Sequence, residues 1–314
     1  MKVTALAGGI GASKLLLGLQ NVTSPEDISV VANTGDDLEL YGLRICPDVD
    51  TVTYTLAGII NPATGWGIDG DSFESLRWLA RYGVETWFNL GDRDLATHLF
   101  RTARLKTGSS LTQVTDEIRR ALRVAPRILP MSDSYTPTRV QTDEGELHLQ
   151  EYFVRRKCEP AVKGFRYENI EDSRCSIEVE SAILDADVII ICPSNPFISI
   201  GPIISVPGLK NALSRSKAVK VAVTPIIAGR AVKGPTAEML RGLGHPASAD
   251  GVAQLYRDIV DLFVLDSRDS ALRSRIEKPG LEVVTADTLM ESFEDKKRLA
   301  GEVLSAAAAR PLRR

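Results

Sequence analysis

The chain has 314 residues, enough for one large or two modest domains with a sizeable core. Its 44% hydrophobic and 25% charged residues are ordinary for a soluble globular protein, and a formal net charge of -3 gives no electrostatic case for binding nucleic acid. No apolar run reaches the length of a membrane span and no signal-peptide layout precedes the first strand, so the expectation is a cytoplasmic protein with no membrane attachment.

The first predicted element is a buried parallel strand, Val3 to Ala7. Glycines follow at Gly8, Gly9 and Gly11, and Ser13 opens a helix carrying Leu15, Leu16 and Leu19 on its apolar positions. Strand, glycine turn and helix start form a ready anion site, because backbone N–H groups point outward and the helix dipole favours negative charge. The turn is neither a dinucleotide fingerprint, whose last glycine is replaced by Lys14, nor a Walker loop, because Ser13 and Leu15 break that pattern. Glycines also serve tight turns that bind nothing.

Ile28 to Ala32 is a second buried strand, running into the polar loop Asn33 to Asp37. Leu43 to Cys46 is a short extended piece, and Thr51 to Ala57 has helical spacing, with Asp48 or Asp50 available to cap it. After a Gly- and Pro-rich loop from Asn61 to Gly70 that holds Trp66, helices are expected at Asp71 to Tyr82, Leu95 to Leu105 and Leu111 to Leu122. Asp94 would be the N-cap of the second of these. Strands resume at Arg127 to Leu129. A hairpin follows, from Arg139 to Thr142 and Leu147 to Gln150, and Tyr152 to Asp172 reads as charged and irregular. Ile177 to Leu184 is helical, and Val188 to Cys192 and Val219 to Val223 are buried strands. Helices at Glu238 to Leu243, Val252 to Val260 and Phe293 to Ala309, with strands at Leu262 to Leu265 and Val283 to Val284, complete the pattern.

The predicted fold is α/β: a doubly wound, mostly parallel, Rossmann-like sheet with a helical cap. Residues 1–50 and 126–314 would form a nucleotide-binding core, and residues 51–125 the mainly helical cap. Four strands end in polar loops, Gly8–Gly11, Asn33–Asp37, Pro193–Ser199 and Thr224–Gly229, which a parallel sheet gathers on one edge.

Asp36, Asp37, Asp48 and Asp50 fall within fifteen residues on two loops near that edge. Carboxylates without basic neighbours beside a phosphate site suggest Mg²⁺ held on Asp37, Asp48 or Asp50, although turns and caps also use aspartate. The stretch Asn89 to His98 combines a turn glycine with Asp92, Arg93, Asp94 and His98, a set suited to a polar ligand. His98 is one turn into its helix, where a lone histidine is more often structural. Cys46, Cys158, Cys175 and Cys192 form no C-x-x-C pair, and three histidines make a zinc site an unlikely design. No G-x-S-x-G elbow is present.

Seven motifs occur together in this order: Ala7 to Leu15, Cys46 to Thr51, Gly65-Trp-Gly67, Leu90 to His98, Leu129 to Asp133, Pro193 to Pro196 with Ser199 to Ile203, and Pro225-Ile-Ile227. In this the chain resembles the 2-phospho-L-lactate transferase (CofD) family of coenzyme F-420 biosynthesis, from residue 1 to about residue 290. The resemblance implies transfer of a phospho-carboxylate unit, such as 2-phospholactate or phosphoenolpyruvate, from a guanosine diphosphate conjugate to the deazaflavin Fo. GMP is released, and Mg²⁺ is the expected cofactor. It implies that Gly8, Gly9, Ser13, Lys14 and the Pro193 to Pro202 loops, with Ser194, Asn195, Ser199 and Gly201, lie near the guanosine diphosphate. It implies Fo contacts from Asp50 and Asn89, with the cap binding the deazaflavin; Gly11, Asn33 and Arg93 are further expected binding residues. Relatives can carry a different residue at the Asn89 position.

Asp50, or Asp48, would accept the proton of the attacking ribityl hydroxyl, and Asp50→Ala is expected to abolish turnover with the fold intact. Trp66 would stack on the ring or simply pack on the surface. The rival reading is a non-catalytic, nucleotide-sugar-binding regulator of the gluconeogenesis-factor type. It shares the glycine turn and sheet-edge loops but not the pattern of Leu90 to His98 with Cys46 to Thr51. A homodimer is expected on base rate alone.

Overall fold

The computed structural model describes residues 1–232 and 234–310. The chain opens on β1 (Val3–Ala7), buried throughout, turns at Gly8 into α1 (Gly9–Leu19), and returns as β2 (Ile28–Ala32). The expected helix start at Ser13 is corrected. The glycines themselves form the first turn of α1, with Gly8 as N-cap, and Gly9 takes a φ of 72° that glycine adopts without strain.

A small hairpin of β3 (Leu38–Leu40) and β4 (Leu43–Ile45) leads into α2 (Pro47–Leu56), which begins ahead of the expected Thr51. Pro47 suits the first helical position, where its fixed φ fits and its missing N–H is not needed. Asp48 and Asp50 therefore lie inside the first turn, and neither caps the helix. Next come α3 (Glu74–Arg81), α4 (Asp92–Lys106) and α5 (Leu111–Ala121). The N-cap of α4 is Gly91, not Asp94.

After β5 (Arg127–Pro130) the chain makes an antiparallel excursion through β6 (Thr138–Thr142), β7 (Gly145–His148) and β8 (Val162–Tyr167), with β6 in the middle. A π-helical turn at Glu151–Arg155 separates β7 from β8. β8 corrects the expectation of an irregular stretch there. Lys163 and Arg166 are exposed and Gly164 has no side chain, so the period-two pattern is faint. The remainder runs α6 (Ile177–Leu184), β9 (Val188–Ile191), α7 (Gly201–Ser205), α8 (Leu209–Arg215) and β10 (Val219–Val223). A two-residue hairpin, β11 (Ile226–Ile227) with β12 (Arg230–Ala231), precedes α9 (Thr236–Gly242) and α10 (Ala249–Tyr256). The last elements are β13 (Leu262–Asp266), α11 (Arg273–Ile276), β14 (Glu282–Ala286) and α12 (Phe293–Ala308).

The central sheet has seven parallel strands in the order β14-β13-β10-β9-β1-β2-β5. β1 pairs with β2 on one side (Val3 opposite Ile28) and with β9 on the other (Val3 opposite Val188). The winding reverses between β1 and β9, so a crevice opens where their carboxyl ends diverge. Helices cover both faces, which explains the uninterrupted apolar runs of the strands. Leu6, Ile189, Ile191 and Phe263 join the core layer that includes Val179 of α6, Leu209 of α8 and Val252 of α10. Val3, Ala5, Val188 and Val221 join the opposite layer with Leu16 of α1, Val52 of α2, Leu111 of α5 and Val303 of α12. Within residues 51–125, α2 and α5 thus belong to a sheet layer, and residue 50 falls inside α2.

Candidate active site

A cavity of about 330 Å³ lies at the carboxyl edge of the sheet, at the switch between β1 and β9. All four predicted loops reach it, through Gly8 to Gly11, Asp36, Pro193 to Asn195 with Ser199, and Thr224 with Pro225 and Ile227. Asp48 of α2 lines the glycine-turn side, and Asp50 of α2, Trp66, Phe88, Asn89, and Asp94 and His98 of α4 line the side toward α4.

The first turn of α1 has no side-chain N-cap and no acidic residue of its own; the Gly9 amide bonds to Asp48 of α2, and the N–H groups that follow, with the dipole, face an anion site. Close contact builds this turn. A Cβ on Gly11 would sit 2.2 Å from the Pro193 carbonyl oxygen, and one on Gly8 would sit 2.5 Å from Asp48 Oδ2. Several predicted ligand residues brace the turn. Ser194 Oγ donates to the Gly8 carbonyl at 2.7 Å, and Asn195 Oδ1 accepts from the Phe197 and Ile198 amides at 2.9 and 3.3 Å. Asn33 Nδ2 donates to Asp48 Oδ2 at 2.8 Å and to the Ile198 carbonyl at 3.1 Å. Lys14 lines the cavity while its Nζ donates to the Met290 carbonyl at 2.9 Å. Ser13 donates to the Ile10 carbonyl at 3.0 Å, and Gly201 packs on the Tyr167 hydroxyl. Ser13, Asn33 and Gly201 stand behind the lining.

Asp36 and Asp48 are buried together at this wall. Burial, then the neighbouring Asp48 charge, pushes the Asp36 carboxyl well above the ordinary range. Burial pushes Asp48 up to about 6, against hydrogen bonds from Asn33 and the Gly9 amide. Asp36 Oδ1 has no hydrogen-bond partner, while Oδ2 accepts from Gln150 Nε2 at 3.3 Å. Asp37 lies outside the lining. It pairs with Arg44 at 2.9 Å and accepts from the Cys46 thiol at 3.0 Å, and burial still pushes it to about 6.

The expectation of carboxylates without basic neighbours is therefore corrected at Asp37, and again at Asp50. Arg101 of α4, fully buried, grips Asp50 through both terminal nitrogens, one of them donating to Oδ2 at 3.0 Å. Burial raises the Asp50 pKa, and Arg101 opposes it. The same Nη1 of Arg101 lies 3.2 Å from His98 Nδ1, which makes Nδ1 the acceptor and puts the ring proton on Nε2, 3.4 Å from Asp94 Oδ1. Tyr54 donates from its hydroxyl to Asp94 at 2.7 Å and lies 2.8 Å from the Thr97 hydroxyl. Burial works to raise Asp94, but His98 and Tyr54 outweigh it and hold the carboxyl below its ordinary value.

Asp50, Asp94 and His98 place possible metal-ligand atoms within 4.8 Å of one another. An ion there would compete with the Arg101 cation for Asp50 and with the proton on His98 Nε2. The Asp36–Asp48 pair, all oxygen and with one oxygen unpartnered, fits a hard divalent cation better.

The stretch from Asn89 to His98 divides its labour. Asp92 caps α3, accepting from the Glu74 and Ser75 amides at 2.9 Å each, and these bonds with that of Ser72 hold its carboxyl far below the ordinary range. Asp71 in turn caps α4, accepting from the Arg93 and Asp94 amides at 2.9 and 3.0 Å. Gly91 is required there, because a Cβ would sit 2.1 Å from Asp71 Oδ2. Arg93 donates to the Asp69 carbonyl at 3.3 Å and does not line the cavity. Asn89, Asp94 and His98 do.

The sequence reading placed Asp36 in its acidic cluster but not among the metal residues, and it missed Tyr54, Arg101 and Gln150. A signal existed for Arg101: Asp94, His98 and Arg101 recur at i, i+4 and i+7, a polar stripe on one face of α4. Asp50 and Tyr54 stand at i and i+4 on α2 in the same way.

Fold and cavity together define a doubly wound α/β protein with a cavity at the topological switch point. Residues 3–306 match the family model of the 2-phospho-L-lactate transferase CofD, and the chain belongs to this family of transferases. It is 42% identical over 309 residues to a 2-phospho-L-lactate transferase of Methanopyrus kandleri, covering 97% of each chain. It is 39% identical over 314 residues to a phosphoenolpyruvate transferase of Kitasatospora aureofaciens, covering 98% of each. A crystal structure of a UPF0052 family protein from Bacillus halodurans matches with a TM-score of 0.65 at 18% identity, over 96% of this chain and 98% of that one, a likeness of fold. Among the described residues, no helix is long and apolar enough to cross a membrane.

Proposed function

We propose that this protein moves a phospho-carboxylate unit, of the 2-phospholactate or phosphoenolpyruvate type, from a guanosine diphosphate conjugate to the deazaflavin Fo, releasing GMP. The observation that carries the reading is one cavity with two unlike walls. The N-terminus of α1 meets the Asp36–Asp48 pair on one wall, and Asp50, neutralised by Arg101, stands on the other. Family membership supports the transfer.

In this reading the donor diphosphate lies on the α1 N-terminus beside Lys14. The acceptor lies between α2 and α4, where Trp66 and Phe88 offer ring faces and Asn89 an amide. The acceptor wall in this reading combines Asp50 and Tyr54 of α2 with residues of the 66–98 stretch. An acceptor hydroxyl attacks the phosphorus that carries the carboxylate unit, the P–O bond to GMP breaks, and the hydroxyl proton passes to Asp50. Such a transfer asks chiefly for alignment and charge neutralisation. Asp36 and Asp48 would hold Mg²⁺, which when bound supplies positive charge to the phosphoryl oxygens. That need is acute here, because Asp36, Asp48, Asp50 and Asp94 all line a site for an anionic donor.

The test is direct. Purified protein with Mg²⁺ and Fo is offered lactyl, enolpyruvyl and glyceryl guanosine diphosphate donors, and GMP and the phosphorylated deazaflavin are measured by chromatography and mass. Fo-dependent GMP release with at least one donor is expected. Release with none of them overturns the reading.

A further inference from the structure

We propose that Arg101 is the positioning residue of the acceptor wall: it fixes the plane of the Asp50 carboxylate so that Asp50 reads the acceptor by its O–H or N–H donors. The inference rests on the proposed transfer to a deazaflavin acceptor. Arg101 is the largest fully buried side chain of the described residues, and it contacts none of the cavity itself. Its two terminal nitrogens engage the two oxygens of Asp50, and Nη1 also faces His98 Nδ1 at 3.2 Å and the Arg44 carbonyl at 3.4 Å. A bidentate fork fixes a carboxylate's plane as well as its position. Asp50 lines the cavity, so the lone pairs that the fork leaves open serve a ligand there.

A purely structural account of Arg101 is weak on physical grounds. Buried ion pairs stabilise folds little compared with apolar residues of similar volume. Arg101 Nε has no hydrogen-bond partner, a cost that an apolar side chain would avoid. Orientation is what the guanidinium adds. The orientation extends along the wall, because His98, whose Nδ1 faces Arg101, turns its Nε2 toward Asp94 at 3.4 Å, and Asp94 accepts from Tyr54. Asp50, Tyr54, Asp94 and His98 all line the cavity, so α2 and α4 present one fixed pattern of donors and acceptors.

The experiment compares wild type, Arg101→Met and Arg101→Lys. Fo binding is followed by the ligand's own fluorescence, KM is measured separately for Fo and for the donor, and folding is checked by circular dichroism and Tm. Arg101→Met is expected to weaken Fo binding and raise the Fo KM by about tenfold or more, with the donor KM within about threefold of wild type. Arg101→Lys keeps the charge but not the fork, and an intermediate loss on the Fo side alone is expected. If Arg101→Met does not fold, Arg101→Lys carries the test. An unchanged Fo KM in the folded variant, or equal rises in both KM values, overturns the inference and leaves the transfer reading standing. Failure of the wild-type protein to bind Fo removes that reading and the inference with it.

Discussion

Asp48 and Asp50 stand two residues apart on α2 and meet opposite electrical surroundings. Positions i and i+2 point about 200° apart around a helix, so α2 divides the cavity. On the glycine-turn side, Asp48 lies against a second carboxylate, Asp36, and burial raises both. On the α4 side, Asp50 is matched by Arg101, and Asp94 by His98 and Tyr54. At the first wall two carboxylates face each other, while at the second the Arg101 cation matches Asp50. Under the proposed transfer, the contrast suits the first wall to a divalent ion and the second to a hydrogen-bonding acceptor.

Removing one member of the Asp50–Arg101 pair should cost most. Asp50→Ala leaves Arg101 buried without its partner, at a cost of about 3–5 kcal/mol. A fall in Tm on the order of 10 °C should accompany the loss of turnover. The expectation of an intact fold in that variant therefore changes, because Arg101 could not be paired with Asp50 from spacing. A Tm within a degree of wild type would break the comparison.

Gly11→Ala attacks the other wall through its backbone. The new Cβ meets the Pro193 carbonyl, and overpacking against rigid main chain costs about 3 kcal/mol. Urea unfolding should show that cost, and a GDP titration should show lost binding.

His148 supports the same wall from behind. Its Nδ1 accepts from the Gln150 amide at 3.1 Å, so the Nε2 proton is the one aimed at the Asp37 carbonyl, also at 3.1 Å. Burial, helped by Arg139, pushes its pKa down to about 4, below the unfolded value of about 6.5. Between these values the unfolded chain binds the extra proton, so this contribution is full above pH 6.5 and is lost as pH falls toward 4. Unfolding at pH 7 and 4.5 should show about 2 kcal/mol less stability at the lower pH from this group. His148→Gln should flatten that part of the profile.

Asp36→Asn should move stability least, by under about 1 kcal/mol and upward, because it relieves a like-charge pair. The same variant should lose any rise in Tm that Mg²⁺ gives the wild type. A loss as large as that of Asp50→Ala would erase the distinction between the walls.

The sheet and its switch point were legible because strands buried on both faces read as apolar runs, as in Val3 to Ala7 and Val188 to Ile191. The polar loops at their ends converge as that reading requires. β8 was hidden by Lys163, Gly164 and Arg166. Arg101 was hidden because its partner lies 51 residues earlier, and no local period encodes a long-range pair. Ser194, Asn195 and Asn33, expected as ligand residues, bond within the protein, through the Gly8 carbonyl, the Ile198 amide and Asp48.

Asp92 caps α3, and Asp71, just ahead of α3, caps α4. Neither helix can unwind its first turn without stripping acceptors from the other, so the two termini form one opening unit. Amide hydrogens of Glu74, Ser75, Arg93 and Asp94 should then report one shared opening free energy in hydrogen exchange. Asn89, just before this paired cap, would gain or lose its place at the cavity only when both helices let go together.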